Sequence, residues 1–416
     1  MTAAAGEPLL PAPAGETAAL RRNASLINVL RLVHRRGPVT RSQVAAELGL
    51  SRSGVRMLVA QLCGYGLLAE RPGRPPGTAG RPSLIVEVAH SAVAGLAIQI
   101  RSDVLCAAEV GLGGRLGPVR QVSRQPRRFR PAETVDDIAG LTAPLMSELA
   151  ARRVYLAGIG VAFGGLVRMH DGFVFASPAL GWRDVPLADL IAARLGAAGQ
   201  LPVFVGNDGD LGAIAEHLLS AGHQDRTLLY VSADIGVAGG IVTQGHPRLP
   251  PTSSAAEVGH MTVNPAGHIC RCGNRGCWES EISASALLRQ ANRTPVPDQS
   301  AAIDELIADA TGGNPDALDA VREHARWVGI GLGSLANILA PGLISLSGLL
   351  ARLFPLESDV INTEVSRRVQ PPLQANLTVR GSALGSNAPL VGAGTLALEP
   401  VLASPQAMPA SRPRPT

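Results

Sequence analysis

The sequence contains no lysine, so all 37 basic side chains are arginine. Alanine, glycine, proline and arginine share GC-rich codons, and the absence reads as base composition rather than function. Aromatic residues are scarce at 3%, which leaves an aliphatic core of Ala, Val, Leu and Ile around many glycines. Charged residues reach only 17% against 46% apolar, a balance that excludes a wholly disordered chain. Residues 1–19 hold no basic side chain and no long apolar run, which excludes a secretory signal there. They are Ala/Pro-rich and are expected to be a disordered tail, as are residues 401–416. The uncharged stretch 327–351 resembles a membrane span, but Pro341 breaks it and Asn337 interrupts it. It reads as a buried helix, a turn and a buried strand over 343–348, with a cytoplasmic location and no membrane partner.

What is present is unevenly placed. The 416 residues suffice for roughly two to four domains. Net charge is only +4, yet residues 20–90 hold eleven arginines against Glu47, Glu70 and Glu87, a local +8. A basic segment on an acidic body predicts a separate nucleic-acid module.

Within it, SLINVLRLVHRR (25–36) has helical spacing at Leu26, Ile27, Leu30 and Val33, and Gly37-Pro38 ends it. Thr40 or Ser42 can cap a second helix, Gly49 makes a short turn, and Ser51 caps a third. Ala45, Leu48, Val55 and Leu58 are placed to fill the core of a helix-turn-helix. Ser51, Arg52, Ser53 and Arg56 then lie at the outer start of the third helix, where side chains reach base edges and phosphates. Strand-like segments at 67–70 and 84–88 flank a basic Gly/Pro loop. Its Gly73-Arg74-Pro75 and Gly80-Arg81-Pro82 repeats make Arg74 and Arg81 candidates for a narrow minor groove. The segment is predicted to be a winged helix-turn-helix bound to double-stranded DNA. A solvated linker would explain the loop alone, but not the helical pattern as well.

Residues 259–279, GHMTVNPAGHICRCGNRGCWE, carry the strongest chemical pattern. Cys270, Cys272 and Cys277 supply three thiolates, and either His260 or His268 can supply an imidazole. Four such donors close a tetrahedron, the pattern of structural zinc, and leave no open position for catalysis. Gly273 and Gly276 permit the turns that converge the sulfurs.

With these residues in view, the chain resembles the ROK family of repressors and sugar kinases. The resemblance rests on Glu257-x-Gly259-His260 followed by Cys-x-Cys-Gly-x-x-Gly-Cys-x-Glu, and extends over about residues 20–400. It implies an N-terminal winged helix-turn-helix (20–90) and an actin-like, ribonuclease H-like two-lobe α/β domain (91–400), with the zinc loop near 260–279. It favours His260 as the fourth zinc ligand. By motif position it assigns Asn207, Asp208, Glu257, His260 and Glu279 to sugar hydroxyls, with Asp208 as the equivalent of a kinase base. Ala179 departs from an asparagine common among the kinases.

The phosphate motifs depart further. Ala97-Ile98-Gln99-Ile100-Arg101 replaces an Asp-Ile-Gly-Gly-Thr-like turn, so backbone approach to phosphate is obstructed. Ala233-Asp234-Ile235-Gly236-Val237 replaces a Gly-Thr-Gly-rich turn and brings an acid toward the phosphate side. The implied protein is a sugar-responsive repressor without catalytic residues, acting on operator DNA as a homodimer or homotetramer. The alternatives are an ATP-dependent sugar kinase with an accessory DNA-binding domain, and a regulator that answers to a protein partner.

Overall fold

The computed structural model describes residues 14–73, 84–124, 129–195, 201–220, 226–243, 246–247, 257–294, 296 and 299–408. The candidates Arg74 and Arg81 lie outside the described residues. The chain divides into two units, Met1–His90 with Pro400–Thr416, and Ser91–Glu399.

The first unit opens with helix Ala14–Arg36, so the expected tail over 1–19 is corrected: its last residues already form helix. Leu26, Val29, Leu30 and Val33 are buried along that helix. Helix Arg41–Leu48 follows. Thr40 caps it: the Gln43 N–H donates to Thr40 Oγ1 (3.2 Å) and Gln43 Oε1 accepts from the Thr40 N–H (2.7 Å). Gly49 ends it at φ +63, a left-handed conformation that favours glycine. Ser51 Oγ then accepts from the Gly54 N–H (3.1 Å) and starts helix Arg52–Gly64. Val55 and Leu58 are buried as expected, but Val44 rather than Ala45 is the buried residue of the second helix. Ala45 and Leu48 are half-buried; the bulkier apolar side chain takes the inward position.

Strands Leu68–Pro72 and Leu84–Val88 pair antiparallel, and Val39–Thr40 pairs with the far edge of the latter. Three helices and a small sheet in this order fit a winged helix-turn-helix. The expected tail at 401–416 is also corrected over 401–408, and its remainder lies outside the described residues. Helix Glu399–Ala403 and a turn over Pro405–Ala407 bury Val401, Leu402, Pro405 and Met408, and the turn touches helix Ala14–Arg36.

The second unit is built from two sheets of the same design. In the first, Val93–Ile100 and Val104–Gly111 form a hairpin, and short strands continue it antiparallel. Tyr155–Phe163 and Val203–Asn207 extend the other edge parallel. In the second, Leu228–Ala233 and Val237–Thr243 form the hairpin, and Leu343–Gly348 and Thr378–Gly381 extend it parallel. Both read third-second-first-fourth-fifth, which is the ribonuclease H-like order and matches the expected two-lobe class.

Two helices form the seam between the sheets. Helix Ala388–Ala397 packs on the first sheet and on helix Asp208–Leu219, which in turn packs on the second sheet. Contact there is backbone to backbone. A Cβ on Gly160 would stand 1.8 Å from the Ala393 carbonyl oxygen, and one on Gly392 would stand 1.9 Å from that of Leu211. Each lobe has its own aliphatic core, with Phe163 and Trp182 stacked in the first and Trp278 fully buried in the second. No described helix is long and apolar enough to cross a membrane. The uncharged stretch is the end of helix Pro315–Leu339 followed by the buried strand Leu343–Gly348.

Candidate functional site: a metal cluster at the wall of an interlobe cleft

Residues 258–282 leave the second sheet as a compact loop. Antiparallel bridges join Thr262 to Cys277 and Ile269 to Arg275, and Gly276, at φ +73, lies where a Cβ would meet the Asn264 carbonyl oxygen at 1.7 Å. The turn brings His260, Cys270, Cys272 and Cys277 together, with one donor atom from each within 4.8 Å of all the others. His268 is not part of that group. Cys270 Sγ lies 3.7 Å from His260 Nδ1, and Cys272 Sγ lies 3.7 Å from Cys277 Sγ. A tetrahedral zinc site needs sulfur–sulfur edges of about 3.8 Å and sulfur–nitrogen edges of about 3.6 Å. The donors therefore fit such an ion. Burial and the adjacent sulfurs push the Cys277 thiol up to about 12. Three sulfurs so close need a compensating cation before all can ionise, which thiolate ligation supplies. The carboxylate of Glu257 stands 3.8 Å from the other ring nitrogen of His260. Behind the cluster, Trp278 donates its indole N–H to the Trp327 carbonyl (2.8 Å) and fastens the loop to the lobe core.

The cleft between the lobes is lined by all five expected ligand residues, Asn207, Asp208, Glu257, His260 and Glu279. They are not equally free. Asn207 caps helix Asp208–Leu219, its Oδ1 accepting from the Gly209 and Asp210 N–H groups (2.9 and 3.3 Å). Its amide donates to the Gly165 carbonyl (2.9 Å). Glu279 accepts from the Val237 N–H (3.1 Å) and from Arg271 (3.3 Å). Asp208 makes no ion pair in the described residues, and burial pushes its carboxyl up to about 6 against the opposing pull of the Gly209 N–H and Arg101. Ala179 lines the cleft as well.

The end of the cleft where the family resemblance places the phosphate motifs is differently furnished. Ala97 and Gln99 are buried within the strand. Arg101, at the hairpin turn of the first lobe, holds Asp103 through two hydrogen bonds (3.0 and 3.1 Å). It reaches Asp234, at the matching turn of the second lobe, through a third (3.1 Å). This triplet was not foreseen. Its partners are 133 residues apart, and only the Arg-x-Asp spacing is a local signal.

In the first unit, Ser51 sits at the helix cap, and Arg52, Ser53 and Arg56 are exposed along the start of the third helix. The three acids of the segment pair elsewhere: Glu47 with Arg36 (3.3 Å), Glu87 with Arg71 (2.8 Å) and Glu70 with Arg41. No described residue neutralises Arg52 or Arg56, so the positive charge stays on that face. Met57, beside Arg56, is 53% exposed, an apolar side chain on the surface of the same helix.

Fold and site together define a two-lobed, actin-like protein with a polar cleft, a Cys3His group and a helical N-terminal unit. The ROK family model matches residues 116–400, and the chain belongs to that family. A xylose repressor from Bacillus spizizenii is 26% identical over 371 residues, covering 89% of this chain and 94% of the repressor. A glucokinase from Streptomyces coelicolor is 32% identical over 301 residues, covering 68% of this chain and 92% of the kinase. Among solved structures, a ROK family transcriptional regulator, described as a homologue of the Escherichia coli MLC protein, superposes with a TM-score of 0.72. It covers 92% of this chain and 98% of its own at 21% identity, and shows the fold.

Proposed function

We propose that the protein is a sequence-specific DNA-binding transcriptional regulator, acting as a repressor of sugar uptake or metabolism genes. A sugar or sugar derivative in the cleft sets its affinity for DNA. The observation that carries the reading is the charge segregation of the N-terminal unit. Among the described residues Glu47, Glu70 and Glu87 all pair away from the third helix, which leaves Arg52 and Arg56 uncompensated beside Ser53. Arginine in that position reads guanine or holds phosphate. The repressor-named relative adds support, because it aligns over far more of the chain than the glucokinase does.

In the cleft, carboxylates and an amide suit sugar hydroxyls, which donate and accept together. Asp208 and Glu257 are the freest acceptors, Glu279 and His260 are held in place by the loop, and Asn207 contributes its remaining amide N–H. Zinc bound by His260, Cys270, Cys272 and Cys277 supplies rigidity rather than chemistry. The ligand acts by binding two lobe arrangements unequally, and that difference couples to DNA. The working form is a cytoplasmic homodimer or homotetramer on a symmetric operator. Phosphoryl transfer forms no part of the reading, since Arg101 and Asp234 occupy the phosphate side.

The test is recovery of genomic fragments by the purified protein at about 150 mM salt, where non-specific phosphate binding is weakened. A few discrete palindromic sites are expected. Arg52→Ala and Arg56→Ala should each weaken them by about 10- to 100-fold. Recovery that is sequence-independent and vanishes as salt rises would overturn the reading.

A further inference from the structure

Asp234 stands at the start of helix Leu349–Arg368, where the Leu349 N–H donates to its carboxylate. An unpaired helix N-terminus favours an anion. Gly348, at φ +60, turns the chain there, and a Cβ on it would lie 2.9 Å from Asp234 Oδ2. The carboxylate is thus tightly seated. From the other lobe Arg101 donates to it through Nη1 at 3.1 Å while Nε and Nη2 hold Asp103. A helix N-terminus and a guanidinium facing each other across a cleft are the parts of a phosphate site. Here an aspartate of the chain itself sits between them.

The rest of the described lining does not restore a free cation. Arg271 is committed to Glu279 (3.3 Å) and to the Ile235 carbonyl (2.9 Å). Asp208 and Glu257 add negative charge that no arginine of the described lining pairs. An anionic ligand would meet this field unfavourably and, among the described residues, find no unpaired arginine to offset it.

We propose that Asp234 is a built-in anion that occupies the cleft's phosphate position, and that with Asp103 it neutralises Arg101. The cleft thereby admits uncharged or amino-bearing sugars and rejects sugar phosphates and nucleotides. This rests on the cleft binding a sugar, and the test separates the two claims. The full-length protein is titrated calorimetrically with xylose, glucose, N-acetylglucosamine, and the 6-phosphates of the last two. At least one neutral sugar should bind, with the 6-phosphates weaker by thirtyfold or more. In the Asp103→Asn/Asp234→Asn variant that ratio should fall at least tenfold. Asp103→Asn alone, on a partly exposed turn, should lower it in the same direction if the double variant does not fold.

A 6-phosphate that binds the unaltered protein as tightly as its parent sugar overturns the proposal and leaves the sugar cleft intact. If no sugar binds the unaltered protein, the sugar reading falls, and inorganic pyrophosphate then decides the role of Asp234. Binding gained by the variants and absent in the unaltered protein upholds the built-in anion. No gain overturns it.

Discussion

The two lobes share a strand order, a hairpin that opens toward the cleft and a parallel edge, yet they carry unequal loads. Between its third and fourth strands the first lobe inserts one helix, Pro131–Ala151. The second inserts everything from the metal loop through helix Pro315–Leu339 before its fourth strand begins at Leu343. At the matching hairpin turns the first lobe presents Arg101 and Asp103, and the second presents Asp234. The fold is repeated while the chemistry is divided. One lobe provides the capped helix with Asn207 and Asp208, the other provides the metal-braced wall with Glu257, His260 and Glu279, and opposite charges meet at the turns.

The sharpest way to break this division is to remove the metal brace, which belongs to the second lobe alone. Cys277→Ser removes a buried donor and should reduce bound zinc from about one ion per chain to none. Loss of a structural zinc site is worth several kcal/mol, so the melting temperature should fall by roughly 5–10 °C. Hydrogen exchange should quicken across residues 257–282 and leave strands Val93–Ile100 and Tyr155–Phe163 protected. Exchange that quickens equally in both lobes would show that the brace is not local.

The legibility of these features in the sequence follows from how local their causes are. The thiols around Gly-Asn-Arg-Gly are contiguous, and Thr40, Gly49 and Ser51 act within a turn of themselves. Those elements could be read directly, whereas His260 over His268 rested on family resemblance until the structure grouped the donors. Val44 was missed because two neighbouring positions on a short helix compete for one inward site, and packing rather than spacing chooses. The return of Pro400–Met408 to the N-terminal unit was missed because its Ala/Pro-rich composition resembles a tail, and four apolar side chains have no visible partner until the chain folds. The Arg101–Asp234 pair joins two topologically equivalent turns, an equivalence that exists only once both sheets are formed. That Asn207 spends its amide oxygen on a helix cap is equally invisible to a motif match.

A smaller effect probes how the metal loop is held. Gly331 lies on helix Pro315–Leu339, and a Cβ there would approach the Trp278 ring to 2.1 Å. Gly331→Ala should displace the indole, weaken its bond to the Trp327 carbonyl and cost about 1–3 kcal/mol. Chemical denaturation measures the cost. Zinc should remain bound but exchange faster with a chelator, because the loop's anchor rather than its donors has been disturbed. A cost without faster zinc exchange would separate the anchor from the cluster.

The smallest effect belongs to the first lobe, and its sign distinguishes a site residue from a structural one. Burial raises the Asp208 carboxyl from 3.8 to about 6. Between those values the folded state holds a proton that the unfolded state has released, so stability rises as pH falls from about 6 toward 3.8. Above 6 the ionised, partly buried carboxylate opposes folding in full. Asp208→Asn removes that opposition while keeping the side chain's size. With allowance for partial exposure, it should stabilise the protein by about 1–2 kcal/mol at pH 8, and by roughly half as much at pH 5. Denaturant titrations at the two pH values measure the difference. A pH-independent gain would mean that the charge of Asp208 is already satisfied within the fold. The expected pH-dependent gain would mark a carboxylate kept under electrostatic strain at the cleft, a cost that an arriving hydroxyl donor relieves. The same substitution should therefore weaken sugar binding by about tenfold while making the empty protein more stable.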